Sequence, residues 1–359
     1  MNAPVNVPVT TTMTTSGTLR SPAGVRRANF PDVMDFYAPG LKRWRIPEWA
    51  PANPHRFLPV SVTGSACALS CDHCQGKVLG GMVSIRAGQD LFALAARLRE
   101  QGTEGLLVSG GSTPAGGVPL LAQLRHIPRI RQELGMRVIV HSGLVSPELA
   151  AGLSAAGVDG VMLDVIGADE TLRDVYHLDL TVADVDRSLR LLSDHGLRTV
   201  PHIVLGLHYG RFLGEYRALE MAISYNVAAL VLVVLVPLAG TPMADVPPPR
   251  ADQVTDFFAT ARLAAPATTV NLGCARPLGA LKGELDRAAV DLGLNGIAYP
   301  ADGTIEYARS RGLTPRLFEL CCSLTWGGPL TRGGPLTRGG SSAWSEIQES
   351  GATRAQVAG

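Results

Sequence analysis

The chain of 359 residues is poor in aromatic side chains, at 5%, and nearly neutral, with a formal net charge of +1. So small a balance excludes a broad field drawing the chain to nucleic acid or an anionic membrane. No apolar run approaches the roughly 20 residues of a membrane-spanning helix. The longest, ALVLVVLVP at 229–237, has the length and β-branching of a strand. The first thirty residues lack the apolar stretch of a secretory signal. They are rich in Thr, Pro and Ser, so residues 1–29 are expected to form a disordered tail and the chain to be cytoplasmic. Cysteine is scarce as well: six in a chain of this length exclude a disulfide scaffold and point to metal binding or catalysis.

Apolar sequence is plentiful, at 46%, enough for one large core or two ordinary ones. Short β-branched runs at 58–64, 105–111, 137–143, 160–167, 198–206, 229–237, 268–275 and 296–300 alternate with helical patterns. The runs are almost uniformly apolar, as parallel strands covered on both faces are. Between them, Ser146, Pro147 and Gly157 bracket one helix, and Thr181 with Asp184 resembles a capping box at the start of another. This alternation predicts an α/β fold, a (β/α)8 TIM-type barrel of roughly 250 residues. A doubly wound open sheet is the alternative. The ordered domain is expected at 30–324. Residues 325–359, which include the tandem GGPLTRGGPLTRGG, are expected to be a Gly-rich disordered tail.

Three cysteines, Cys67, Cys71 and Cys74, fall within the stretch CALSCDHC, just after the first predicted strand. Loops after barrel strands form the active face. An iron–sulfur cube normally takes four cysteines, and three leave one iron open, as catalytic zinc sites keep one position free. A structural zinc site with His73 as fourth ligand, three inert buried thiols, and a plain electron carrier are the competing readings; the last would show a fourth cysteine.

The C-x3-C-x2-C spacing of CALSCDHC resembles the signature loop of the radical S-adenosylmethionine (SAM) enzymes. The resemblance implies that Cys67, Cys71 and Cys74 hold a [4Fe–4S] cluster whose open iron takes the amino and carboxylate groups of SAM. It implies one-electron cleavage of SAM to methionine and a 5′-deoxyadenosyl radical, and a reductant such as ferredoxin or flavodoxin. His73 stands where the family usually has an aromatic residue packed on adenine. SGGS, with Ser109, Gly110 and Gly111, resembles the turn that binds the SAM amino group, although Ser112 replaces the common acid. Asp164 in LDVIG is placed to reach the ribose hydroxyls, and PHIVLGLHYG resembles the strand beside adenine.

Cys274 in GCARP and the Cys321–Cys322 pair in ELCCSL are candidate ligands of a second, auxiliary iron–sulfur cluster, against a reading as buried small residues. FYAPGLKRW, HSGLV, GLHYG, GTPM, GCARP and ELCCSL together resemble the biotin-synthase-like subfamily, which includes two-component lipoyl synthases. In that likeness Arg276 and Ser323 flank the auxiliary cluster. His141, His202 and His208 fall at strand ends, where a barrel-mouth histidine binds substrate or serves as acid or base, against a reading as hydrogen-bonded core or loop histidines. The Lys42, Arg43 and Arg45 cluster reads as a solvated face. The implied function is sulfur insertion into a protein-bound octanoyl chain, shared with a second radical SAM protein and an octanoylated carrier protein. The alternatives are another biotin-synthase-like reaction without sulfur donation, such as methylation or rearrangement, and a non-enzymatic metal-binding or electron-transfer module.

Overall fold

The computed structural model describes residues 21–86 and 88–324, all within one compact unit. The expected tail at 325–359 lies outside the described residues, as does the first part of the N-terminal one. In chain order the strands are β1 (Val33–Tyr37), β2 (Phe57–Ser61), β3 (Val83–Ser84), β4 (Gly105–Ser109), β5 (Arg137–His141), β6 (Gly160–Asp164), β7 (Thr199–Leu205), β8 (Ala229–Val234), β9 (Thr269–Leu272), β10 (Gly296–Ala298) and β11 (Thr314–Phe318). The helices are α1 (Pro22–Asn29), α2 (Leu91–Glu100), α3 (Leu121–Leu124), α4 (Ile127–Glu133), α5 (Pro147–Ala156), α6 (Asp169–Asp174), α7 (Val182–Asp194), α8 (Glu215–Ile223), α9 (Ala251–Ala264), α10 (Ala280–Asp291) and α11 (Thr304–Ser310). No helix of the described residues is long and apolar enough to cross a membrane.

The strands make one sheet in the order β11-β1-β10-β9-β8-β7-β6-β5-β4-β2-β3, and every pairing is parallel. The eight apolar runs read from the sequence are the contiguous stretch from β10 to β2. The fold is thus the expected parallel α/β architecture, a curled sheet forming a partial barrel. Its outermost strands, β11 and β3, are not paired with each other among the described residues.

Alternation along the strands builds two cores, because successive side chains point to opposite faces. Val138 and Val140 of β5 join the helices in the larger cluster. Ile139 between them faces the other way, packing with Met162, Val200, Val231, Phe57 and Tyr299. The caps form where the sequence placed them: Ser146 Oγ accepts from Leu149 N–H at 3.2 Å, and Asp184 accepts from Thr181 N–H at 2.9 Å.

Two expectations need correction. Residues 22–29, expected in the disordered tail, form α1. Ser21 caps it, Pro22 starts it, Val25 and Phe30 are buried, and Arg26 donates to Val33 O. The strands β1 and β11 were not expected at all. β1 lies between β10 and β11, its Asp35 satisfied by Arg316 through bonds of 2.6 and 2.9 Å. Pro315 is tolerated because β11 is an edge strand.

Candidate cofactor site

The cysteine loop follows β2 and is laced to the turn after β4. Val62 N–H donates to Ser109 O at 2.7 Å and Ala68 N–H to Ser112 O at 2.9 Å. Gly111 N–H donates to Thr63 Oγ1 at 2.7 Å, and Ser112 N–H to Cys67 Sγ at 3.3 Å. This lacing explains the two glycines. A Cβ on Gly111 would lie 2.0 Å from Ala66 O, and one on Gly110 would lie 2.9 Å from Thr63 Oγ1. Any side chain at Gly111 would push the cysteine loop off the sheet. Ser109 Oγ is used locally, donating to His141 O at 3.0 Å.

Within the loop, the ligand atoms of Cys71, His73 and Cys74 lie within 4.8 Å of one another, and Cys67, Cys71 and Cys74 line the same cavity. Hydrogen bonding between Cys71 and Cys74 pushes Cys71 up and holds Cys74 down, the latter helped by His73. The pair therefore favours a shared proton, and a thiolate is the form that ligates metal.

The cavity has a volume of about 370 Å³ and is mostly apolar. Besides the three cysteines its wall includes His73, Ser109, Gly110, Gly111, His141, Asp164 and Tyr176. His73 and Tyr176 pack ring to ring, with centroids 5.2 Å apart. His73 Nδ1 and the Tyr176 hydroxyl are both buried without a partner among the described residues. Buried polar atoms are normally satisfied, so two unmet ones beside a cavity suit a polar ligand. Three thiols lining one cavity, two of them converging with His73, a backbone cradle kept open by glycine and unmet polar groups in the wall fit a thiolate-held cluster with a polar cofactor against it. Thr63 and Tyr176 were missed from the sequence. Thr63 adjoins the cysteine motif and was in principle legible; Tyr176, 102 positions beyond Cys74, was not.

The histidines divide. His141 Nε2 lies 3.5 Å from Asp164 Oδ1. Burial lowers the basicity of His141, but the Asp164 charge and hydrogen bond outweigh it and leave the imidazole above its ordinary 6.5. Burial raises Asp164, but His141 dominates and takes it to about 2. The contribution of His141 is complete below its ordinary value and lost as pH rises through the raised one. That of Asp164 is complete above the ordinary 3.8 and lost as pH falls toward about 2. The His202 ring centroid lies 5.9 Å from that of His141. Its Nδ1 is 3.0 Å from Val200 O, and burial together with His141 lowers it to about 4. In an NMR titration, His141 is therefore expected to show a midpoint above 6.5 that falls in Asp164→Asn, while His202 stays neutral down to about 4. Equal midpoints for His141 in the two proteins would disprove the coupling. His208 does not reach the cavity: it is buried, with Nδ1 3.2 Å from Thr171 Oγ1 and its ring edge-on to Tyr209.

The second cysteine group lies on the inner face of the sheet. Cys274 follows β9, Cys321 and Cys322 follow β11, and all three pack in one cluster with Tyr37, Tyr299 and Phe318. Burial, then the neighbouring Cys321, pushes the Cys274 thiol up. Cys322 O accepts from Asn271 Nδ2 at 2.9 Å, and Ser323 is buried beside the pair. Lys42, expected on a solvated face, places its ammonium 4.4 Å from the Tyr299 ring centroid. Arg276 corrects the sequence reading. Its guanidinium donates to both Asp286 oxygens, at 2.6 and 2.9 Å, and to Gly273 O, Ala298 O and Tyr299 O. An arginine has five N–H donors, so none is left for a cluster.

The chain thus combines a curled parallel sheet with a loop after β2 whose three cysteines line one cavity. Residues 61–211 match the family model described as the Radical SAM superfamily. Among curated proteins it is 34% identical over 120 residues to a GTP 3′,8-cyclase of Geobacter sulfurreducens, covering 32% of this chain and 35% of that one. It is 29% identical over 155 residues to the mitochondrial biotin synthase of Emericella nidulans, covering 40% and 37%. The matches thus span little more than a third of each of these relatives. The crystal structure of methylornithine synthase superposes with a TM-score of 0.53 at 12% identity, over 82% of this chain and 87% of that one, a likeness of fold.

Proposed function

We infer that the chain is a radical SAM enzyme that binds a [4Fe–4S] cluster through Cys67, Cys71 and Cys74 and SAM in the cavity beside them. The observation that carries this reading is the convergence of those three thiols on a cavity also walled by Gly110, Gly111, His73 and Asp164. When bound, the pair would supply the one-electron cleavage of SAM to methionine and a 5′-deoxyadenosyl radical, with a ferredoxin or flavodoxin as electron source. The chain's own share is binding and shielding. His73 and Tyr176 form an aromatic wall with unmet polar atoms, Asp164 offers a carboxylate, and the apolar lining excludes water.

The finer reading is sulfur insertion into a protein-bound octanoyl chain, together with a second radical SAM protein. It is favoured over methylation or rearrangement by one feature, the gathering of Cys274, Cys321 and Cys322 in one inner-face cluster, which suits an auxiliary cluster as sulfur donor. The test is anaerobic reconstitution, reduction, and mass spectrometry of products. Release of 5′-deoxyadenosine is expected with SAM alone. With an octanoylated carrier protein and the partner enzyme, the carrier is expected to gain sulfur. An intact cluster that leaves SAM uncleaved would overturn the enzyme reading in favour of an electron carrier, and a carrier that gains no sulfur would overturn the finer one.

A further inference from the structure

Asp72 lies between two of the three loop cysteines but is not part of the cavity wall. Its carboxylate is gripped by two residues remote in sequence. His177 Nε2 is 2.9 Å from Oδ1, and the Tyr209 hydroxyl donates to Oδ2. A carboxylate only accepts, so the His177 proton sits on Nε2. The Asp72 N–H donates to Val175 O at 2.9 Å, and the Tyr209 oxygen also lies 3.3 Å from Asp174 O. One side chain thus ties the cysteine loop to the segments after α6 and β7.

Both partners hold the left-handed backbone that non-glycine residues avoid: φ is +56° at His177 and +52° at Tyr209. Within the cysteine loop Gln75 does the same, at +49°, and its Nε2 donates to Ser70 O at 2.8 Å. Among the described non-glycine residues only Tyr299 shares this conformation. Such backbone persists only where its surroundings over-determine it. The loop packs Leu69, Cys71 and Cys74 against Leu178, while Ala68 and Ser70 are exposed. Non-directional packing of so few side chains does not by itself fix three left-handed residues, and the polar ties of Asp72 add that constraint.

We propose that Asp72, His177 and Tyr209 form a lock that holds the Cys67–Cys74 loop in its ligating shape before any metal is bound. Asp72 is a positioning residue: it lies outside the cavity wall and lowers the ordering cost of bringing three thiols together. The purpose assigned to the lock rests on reading those cysteines as ligands; its existence does not, so the test uses the metal-free, full-length chain.

Alkylation of each cysteine would be timed by mass spectrometry in wild type, Asp72→Ala, Tyr209→Phe and Asp72→Asn. In Asp72→Ala, the labelling of Cys67, Cys71 and Cys74 is expected to accelerate about tenfold, the scale on which losing hydrogen-bonded ties favours local opening. In Tyr209→Phe it is expected to rise about threefold. Asp72→Asn keeps an acceptor for Tyr209 and should fall between wild type and Asp72→Ala. Cys274, Cys321 and Cys322 are internal controls and should keep their rates. Unchanged rates at the three loop cysteines in both Asp72→Ala and Tyr209→Phe would overturn the lock, and so would equal acceleration at all six, which marks general loosening. Neither result bears on SAM cleavage, which the assay of 5′-deoxyadenosine decides separately.

Discussion

Replacing Cys67, Cys71 and Cys74 together by alanine is expected to remove about four irons per reconstituted chain and to abolish 5′-deoxyadenosine release. The expectation follows from the donor set. Once the thiols are gone, His73 is the one side chain left of the converging group, and the Asp72 carboxylate is held by His177 and Tyr209. The complementary variant, with Cys274, Cys321 and Cys322 replaced, is expected to lose a further four or so irons while still cleaving SAM. About eight irons in wild type, falling to about four in either variant, would support two independent clusters. About four in wild type, unaffected by the second variant, would remove the proposed sulfur source and move the reading to methylation or rearrangement. Iron that survives the first variant undiminished would overturn the assignment of the signature loop. Because the two groups sit in separate packing clusters, the two losses are expected to add.

How much of this was legible depends on the range of the physics. The eight central strands were readable because each is buried on both faces and so is apolar throughout, a local property. β1 was not, because VMDFY carries an aspartate whose partner, Arg316, lies 281 residues on. β11 was hidden by its proline, which is acceptable only at an edge that sequence does not reveal. The cysteine spacing was legible as ligand spacing. Asp72, inside the same motif, looked like loop polarity, since His177 and Tyr209 are over a hundred residues away. Arg276 was misread for a related reason. Its position beside Cys274 suggested a shared site, but a side chain follows the partners that satisfy it, and these come from α10 and the end of β10.

The Arg276 geometry carries the largest expected effect on stability. Both side chains of the Arg276–Asp286 pair are fully buried. Asp286 also accepts from Ala301 N–H at 2.6 Å and lies 3.5 Å from Lys282 Nζ. Removing the carboxylate leaves a guanidinium in the interior with no counter-charge, since its three other acceptors are neutral carbonyls. A buried pair broken on one side typically costs about 3–5 kcal/mol, which in a domain of this size lowers Tm by roughly 10 °C. Asp286→Ala is therefore expected to melt about that much earlier than wild type in an anaerobic thermal scan. Asp286→Asn, which keeps an acceptor but not the charge, should fall between. Arg276→Lys separates this account from a role at the second cysteine group. Lysine cannot reproduce the bidentate fork, so Tm should drop, while the folded fraction keeps wild-type iron content and an unchanged spectrum of any cluster at Cys274, Cys321 and Cys322. A variant with unchanged Tm and an altered cluster spectrum would instead place Arg276 at the metal and overturn its assignment as the buried tie between α10 and the ends of β9 and β10.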